Sequence, residues 1–208
     1  MKRTIYLASF CLAALPVMAQ DSRFTGYVGG GFTQPVSRLG ARLDNGWNIG
    51  AGAGVNASSH MGVMVDFSFN DLGINQRSLA NVGAPDGSTR IWSLTLNPVI
   101  RLAPKESPVD VYFTGGGGLY HRTVEYTQPA LAGVTGFDPW FGFYPAVIGV
   151  NQVIGSFDTY KPGWNAGAGV SVRLGASHVK VFAEARYHHM FTNRLDTTYI
   201  PVTFGFRW

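Results

Sequence analysis

The last nine residues of the chain, from Ile200 to Trp208, alternate between apolar and other residues with a period of two. A β-strand with this pattern places its apolar side chains on one face. Such a strand fits the lipid-facing wall of a transmembrane barrel, with the terminal tryptophan at the membrane interface. The apolar positions are Ile200, Val202, Phe204, Phe206 and Trp208. A last strand of a soluble β-sandwich is the alternative.

The first nineteen residues have the three parts of a secretory signal peptide. A basic start is followed by an apolar segment over residues 5–15, which is too short to span a bilayer, and by small residues that end at Ala19. We therefore expect residues 1–19 to be cleaved and residues 20–208 to form the mature protein. The single cysteine, Cys11, lies in the signal, which predicts a mature chain without a disulfide or a cysteine metal site.

The composition of the mature chain indicates one β domain. Removing Lys2 and Arg3 from the 16 basic residues leaves 14 against 12 acidic residues, and these charges are scattered. Nucleic acid is therefore not an expected partner. Beyond the signal, no run of eighteen apolar residues predicts a transmembrane helix. The 27 glycines and the aromatic content of 13% are typical of many short strands.

Eight alternating segments follow the signal, each near or above the length that a tilted strand needs to cross a membrane. They span residues 24–33, 46–57, 61–70, 89–102, 109–122, 162–174, 179–191 and 198–208. Long and short connections alternate between them, and the longest covers 123–161. This pattern predicts an all-β fold, an eight-stranded antiparallel up-and-down transmembrane barrel with both termini in the periplasm.

An internal repeat supports the assignment of inward and outward faces. The segment 46–55 aligns without gaps to 163–172, and further along Asp66 aligns with Glu184. The two copies lie four strands apart, which is consistent with duplication of a half-barrel. Independent origin of the same sequence pattern in the two halves is the alternative. The outward positions include aromatic residues expected in an outer girdle. These are Trp47, Phe69, Trp92, Trp164 and Tyr187.

The whole mature chain resembles the small outer-membrane β-barrel superfamily, which includes the OmpA-like and OmpX-like eight-stranded barrels. The resemblance rests on the signal peptide, the strand count, the loop asymmetry and the terminal Phe-Arg-Trp. It implies location in the cell outer membrane, contact with its lipid and lipopolysaccharide, and assembly by the barrel-assembly machinery. In that family the C-terminal signature serves as the assembly signal, which here corresponds to Phe204, Phe206 and Trp208.

Charged residues on the inward faces of two strands predict a network in the barrel lumen. Asp66 and Glu184 fall at matching depth, and Arg186 lies one inward step away. Buried carboxylates need partners, and an arginine fork can bridge two of them. We expect this Asp66/Glu184/Arg186 set, called the lumen network, to extend through Arg101, Arg173, Lys180 and Arg207. It fills the lumen, or it lines a gate or narrow solute path.

Catalytic and metal chemistry have little support. His188, His189, Thr192, Asn193 and Asp196 cluster near the outer rim, where some barrels that modify lipid A hold a serine, a histidine and a carboxylate. No serine follows the histidines at the expected spacing, and adjacent histidines on a strand face opposite sides. We therefore predict no catalytic residues, no metal ligands and no cofactor.

The connection between strands five and six has an unusual composition for an extracellular loop. From Pro129 to Val150 its only charge is Asp138. Two arrangements are open: the loop folds over the mouth or extends the hairpin, burying its aromatic residues, or these residues form a contact site for a hydrophobic ligand, lipopolysaccharide or a protein. The residues concerned are Phe137, Trp140, Phe141, Phe143 and Tyr144.

The leading functional hypothesis is therefore a non-enzymatic outer-membrane barrel whose surface loops bind a partner or stabilise the envelope. A narrow conduit for small or hydrophobic solutes is the first alternative. A lipid A-modifying enzyme is the second.

Overall fold

Eight antiparallel strands close into one barrel in the computed structural model, which describes residues 23–103, 107–175, 179–192 and 196–208. The predicted signal peptide, residues 104–106 of the short connection after β4, His178 and Asn193 lie outside these ranges. The strands are β1 Phe24–Pro35, β2 Leu43–Asn56, β3 Met61–Ile74, β4 Asp86–Arg101, β5 Val109–Asp138, β6 Gly142–Arg173, β7 Lys180–Met190 and β8 Thr197–Arg207.

Each strand pairs with the next along the chain, and β1 pairs with β8 to close the ring. The predicted eight-stranded up-and-down barrel is thus confirmed. The start of β1 and the end of β8 share one end of the barrel with the short link between β2 and β3. We call this end the lower rim and the opposite end the upper rim.

Alternating exposure follows from the period-two pattern of the strands. On the outer wall, Val28, Ile49, Leu96 and Phe204 are each about half exposed. Inward neighbours such as Asn48 and Asn97 are almost fully buried. The barrel is therefore apolar outside and mixed inside, the reverse of a soluble domain.

Two packed apolar clusters fill much of the barrel interior. The upper cluster surrounds Leu72, Ile91, Tyr120 and Tyr199, all with no exposed surface. The lower cluster consists of Tyr27, Met64, Val99, Tyr112 and Phe182. Side chains of the described residues thus occupy the lumen, and this packing argues against the alternative of an open conduit.

The sequence analysis assigned residues 123–161 to a connection and left open that it extends the hairpin, and the structure shows this extension. Strands β5 and β6 continue far beyond the other strands and remain paired from Val109↔Val172 to Asp138↔Gly142. A single bulge interrupts this ladder, because Tyr126 pairs with Gly155 and Thr127 with Val153. Two strands joined as a hairpin pair through their backbones even where neither face is buried. The alternation of apolar and polar residues that marks the other strands is therefore missing here.

Two short helices lie in the upper connections within the described residues, and the sequence analysis missed both. They are α1 (Ser37–Gly40) and α2 (Gln76–Val82). Asn75 caps α2 by accepting a hydrogen bond from the Ser78 amide, and Gly83 ends it in the left-handed conformation. Leu39 and Leu79 anchor these helices in the upper cluster. No helix in the described ranges has the length and apolarity needed to cross a membrane.

Candidate functional site

The structure brings the three residues of the lumen network together. Arg186 lies 2.5 Å from Glu184 Oε1 through Nη2 and 3.3 Å from Asp66 Oδ2 through Nη1. Its Nε also donates to Glu184 Oε1 at 2.9 Å. The arginine therefore joins the carboxylates of β3 and β7 across the interior, as a fork with several donors can.

Two amide side chains extend the network from Asp66 Oδ2. Asn97 donates to Asp66 Oδ2 at 2.5 Å, and Asn165 donates to Asn97 Oδ1 at 2.9 Å. These asparagines lie on β4 and β6, so one hydrogen-bonded chain crosses four strands. The sequence analysis missed both residues, although their inward parity was readable from the flanking strand pattern.

Arg207 is the second cation near Glu184. Its Nη2 lies 3.7 Å from Glu184 Oε2, and its guanidinium lies 4.2 Å from the centre of the Tyr112 ring. Phe182 and Tyr27 approach the same guanidinium from other sides. Contact with aromatic faces stabilises a partly desolvated cation. Nearer the lower rim, Arg101 pairs with Asp110 at 3.5 Å.

The internal repeat reappears as two matching rows of residues inside the barrel. Tyr27 is opposite Gly52, which is opposite Asp66. In the other half, Tyr112 is opposite Gly169, which is opposite Glu184. A Cβ atom at either glycine would collide with the neighbouring tyrosine ring. The two glycines therefore let the tyrosines lie flat across the sheet, towards the carboxylates of the network.

The rim histidines do not form one site. His188 points inward, where it is 2% exposed, bonds the Tyr120 hydroxyl at 3.0 Å through Nδ1 and stacks on Tyr199. His189 points outward, stacks on Trp164 and lies 3.9 Å from Asp196. No group of three metal-ligating side chains occurs within the described residues. Hydrogen bonding and ring packing account for the contacts of both histidines.

The β5–β6 hairpin ends in a short turn in which the Asp138 side chain accepts hydrogen bonds from backbone amides. Asp138 Oδ1 accepts hydrogen bonds from the amides of Trp140 at 2.8 Å and Phe141 at 3.1 Å. Pro139 has no amide hydrogen, and Gly142 takes a φ of 77°. A three-residue hairpin loop closed by a left-handed glycine has this form.

Five aromatic side chains surround this turn and are largely exposed. We call this set the aromatic apex, and it consists of Phe137, Trp140, Phe141, Phe143 and Tyr144. Trp140 and Phe141 are each 86% exposed, while Phe137 and Phe143 form a ring pair with centroids 5.1 Å apart. The expectation that an extended hairpin would bury these rings against other loops was wrong, because the hairpin extends beyond its neighbouring strands.

Comparison with known proteins decides the family. The family model described as "Outer membrane protein beta-barrel domain" matches residues 5–208. The chain belongs to this family. Members of an outer-membrane barrel family lie in the outer membrane, so the half-exposed apolar wall faces lipid. No curated protein matches the sequence.

Solved structures share the fold of this outer-membrane barrel. Neisserial surface protein A (NspA) is similar with a TM-score of 0.58 and 16% identity, over 88% of this chain and 95% of that one. A major outer membrane protein from Thermus thermophilus is similar with a TM-score of 0.57 and 11% identity, over 89% of this chain and 98% of that one. Identities this low carry information about the fold alone.

The outer wall has an aromatic belt below the hairpin. Trp47 packs against Phe69 and Trp164 against Tyr187, both with ring centroids 5.5 Å apart. Trp92 contacts His121 and Tyr160, two members that the sequence analysis did not include. Aromatic side chains of outer-membrane barrels concentrate at the membrane interface. This belt therefore marks one boundary of the membrane-spanning wall.

Proposed function

We propose that this barrel is a non-enzymatic outer-membrane protein whose β5–β6 hairpin presents the aromatic apex to a hydrophobic partner outside the cell. The observation that carries the proposal is the exposure of Trp140 and Phe141, 86% each, at the end of a paired hairpin. Exposed apolar patches of this kind mark interaction sites on proteins. Trp and other aromatic residues also dominate the binding energy of many interfaces.

The orientation follows from the lengths of the connections. Outer-membrane barrels have short periplasmic turns and longer extracellular loops. The hairpin lies at the upper rim, opposite the start of β1 and the end of β8. We therefore place the upper rim outside the cell and both termini in the periplasm, with the assembly signal of Phe204, Phe206 and Trp208 at the inner interface.

Lipopolysaccharide is a second partner that the wall can contact. A groove of about 490 Å³ lies on the outward side, and its lining includes Trp47, Asp71, Asp86, Arg90 and Glu125. Trp47 belongs to the aromatic belt, so the polar residues above it lie at headgroup depth. With three carboxylates and one guanidinium, the groove suits the sugar hydroxyls of lipopolysaccharide better than its anionic phosphates. Contact with the sugars at this level is a route by which the barrel would stabilise the envelope.

Replacing three apex residues with serine tests the proposed contact. For Trp140→Ser/Phe141→Ser/Phe143→Ser we expect cells to lose most of their adhesion to hexadecane droplets, because the exposed rings supply the apolar contact area. Stability should change by less than about 0.5 kcal/mol, as expected for exposed side chains. The measurements are the fraction of cells that partition into hexadecane and the urea unfolding of the purified barrel.

The matched control is Thr135→Ser/Thr127→Ser, which changes the hairpin without removing an aromatic ring. Equal amounts of folded barrel for each variant are verified by heat-modifiable gel mobility of membrane fractions. Unchanged hexadecane adhesion of the triple variant would contradict the proposal. A large loss of stability would instead identify the apex as a packed lid.

A further inference from the structure

We infer that the aromatic apex inserts into the interfacial region of a lipid bilayer opposite the membrane that holds the barrel. This inference rests on the proposed function and names the hydrophobic partner as a lipid surface. Its basis is the way in which the turn satisfies its own amide donors, combined with the charge and the position of the hairpin.

The backbone N–H donors of the turn, residues 139–141, are already satisfied. Trp140 and Phe141 donate to Asp138 Oδ1, Pro139 has no donor, and Gly142 is paired with Asp138. A backbone group that enters lipid without a partner costs several kcal/mol, so an apolar tip alone is insufficient for insertion. Here the turn needs no water to satisfy these amides. Its two most exposed side chains, Trp140 and Phe141, are free to enter an apolar phase.

The low charge of the hairpin favours insertion into a lipid surface that is neutral or zwitterionic. Asp138 is the only charged residue between Glu125 and Asp158, and its carboxylate is engaged in the turn. No lysine or arginine lies in this segment to attract an anionic surface. Tyr144, the least exposed member of the apex at 46%, has the amphipathic ring that is enriched at membrane interfaces.

Position favours a target other than the membrane that holds the barrel. The twelve residues from Thr127 to Asp138 span roughly 40 Å at the usual rise of a strand. The ladder with β6 is unbroken over this length, and the β4 pairing ends at Thr127. The apex is therefore held far beyond the aromatic belt, and the surface that it reaches belongs to another bilayer, such as that of a vesicle or a second cell.

Vesicle binding by the barrel in nanodiscs tests this inference. Protein in phosphatidylcholine nanodiscs is mixed with separate phosphatidylcholine vesicles, and co-flotation is measured. We expect the wild type to float with the vesicles and Trp140→Ser/Phe141→Ser to lose this association about tenfold or more, because the two most exposed rings are absent. Leu131→Ser/Val147→Ser is the matched control, since these stem residues are 80% and 69% exposed. We expect it to retain most of the binding.

Two further arms address insertion and the role of the turn. With brominated lipid in the vesicles alone, wild-type tryptophan fluorescence should be quenched, because Trp140 reaches that bilayer whereas the belt tryptophans lie in the nanodisc. Asp138→Asn keeps the acceptor and should bind as well as the wild type, whereas Asp138→Ala removes the acceptor and should bind several-fold more weakly.

Several results would overturn the inference. These are absence of wild-type flotation, equal loss in the stem control, or quenching that appears only when the nanodisc lipid is brominated. If hexadecane adhesion still depends on the apex while vesicle binding is absent, the proposed function stands and the lipid surface is the wrong partner. If both are absent, the proposed function fails as well.

Discussion

Deleting Trp208, or replacing Phe206 with aspartate, is expected to leave most of the protein as an unassembled periplasmic species. Trp208 closes the barrel seam: its amide donates to the Gly26 carbonyl at 3.0 Å, and its own carbonyl accepts from Gly26 at 3.1 Å and from the Thr25 hydroxyl at 2.8 Å. Phe206 is half exposed on the lipid-facing wall. Both changes also break the terminal pattern proposed as the assembly signal. Heat-modifiable gel mobility of membrane fractions measures the outcome.

The position of Phe206 supplies a matched control for this experiment. Val28 lies directly opposite Phe206 in the β1–β8 pairing and is 47% exposed on the same wall. Val28→Asp therefore places the same charge at the same depth outside the C-terminal pattern. A charge near the interface costs only about 0–1 kcal/mol, so Val28→Asp should assemble. Equal folded fractions in the two aspartate variants would contradict a role for the terminal pattern.

Replacing Arg186 with alanine is the second change with a large expected effect. The substitution leaves Asp66 and Glu184, which are 2% and 7% exposed, without their shared partner. Breaking a buried pair by removing one partner typically costs about 3–5 kcal/mol, because a buried charge remains uncompensated. We expect the midpoint of urea unfolding to fall accordingly. The exposed pair of Arg90 and Glu125, at 3.2 Å, is the control, and Arg90→Ala should cost less than about 1 kcal/mol.

A combined variant distinguishes a network from independent contacts. Asp66→Asn/Glu184→Gln/Arg186→Met removes all three charges while keeping similar volumes. We expect it to be less destabilised than Arg186→Ala, because no carboxylate is stranded. Strictly additive effects of the single substitutions would show that the three residues do not act as one network.

The barrel wall and the lumen network were accessible to sequence analysis because one face of each strand is apolar. Alternation then fixes which residues point inward, and a buried carboxylate on one strand predicts a cation within reach. That reasoning located Asp66, Glu184 and Arg186. It did not locate Asn97 or Tyr112, because neutral polar and aromatic side chains on an inward face carry no comparable signal in the sequence.

The extended hairpin was not accessible in the same way. Strands that are exposed on both faces show no alternation, so the segment 123–161 was interpreted as a loop. The turn itself was readable: Asp138-Pro139 followed by Gly142 has the residues that a tight three-residue loop requires. Similarly, Asn75 and Gly83 bracket α2 with standard cap residues. Both signals are local, and the caps of α2 were obscured by the search for membrane-length strands.

Measuring the exposure of the aromatic apex on living cells tests most directly whether the hairpin faces outward as a contact site. Since the only cysteine of the chain is Cys11, in the predicted signal peptide, a single new cysteine can be labelled selectively. Phe141→Cys places it at the apex, and Ser59→Cys places it in the short link between β2 and β3 at the lower rim. With a membrane-impermeant maleimide, we expect Phe141→Cys to be labelled on intact cells and Ser59→Cys only after the outer membrane is permeabilised. Labelling of Ser59→Cys on intact cells, with Phe141→Cys protected, would contradict an outward-facing contact hairpin.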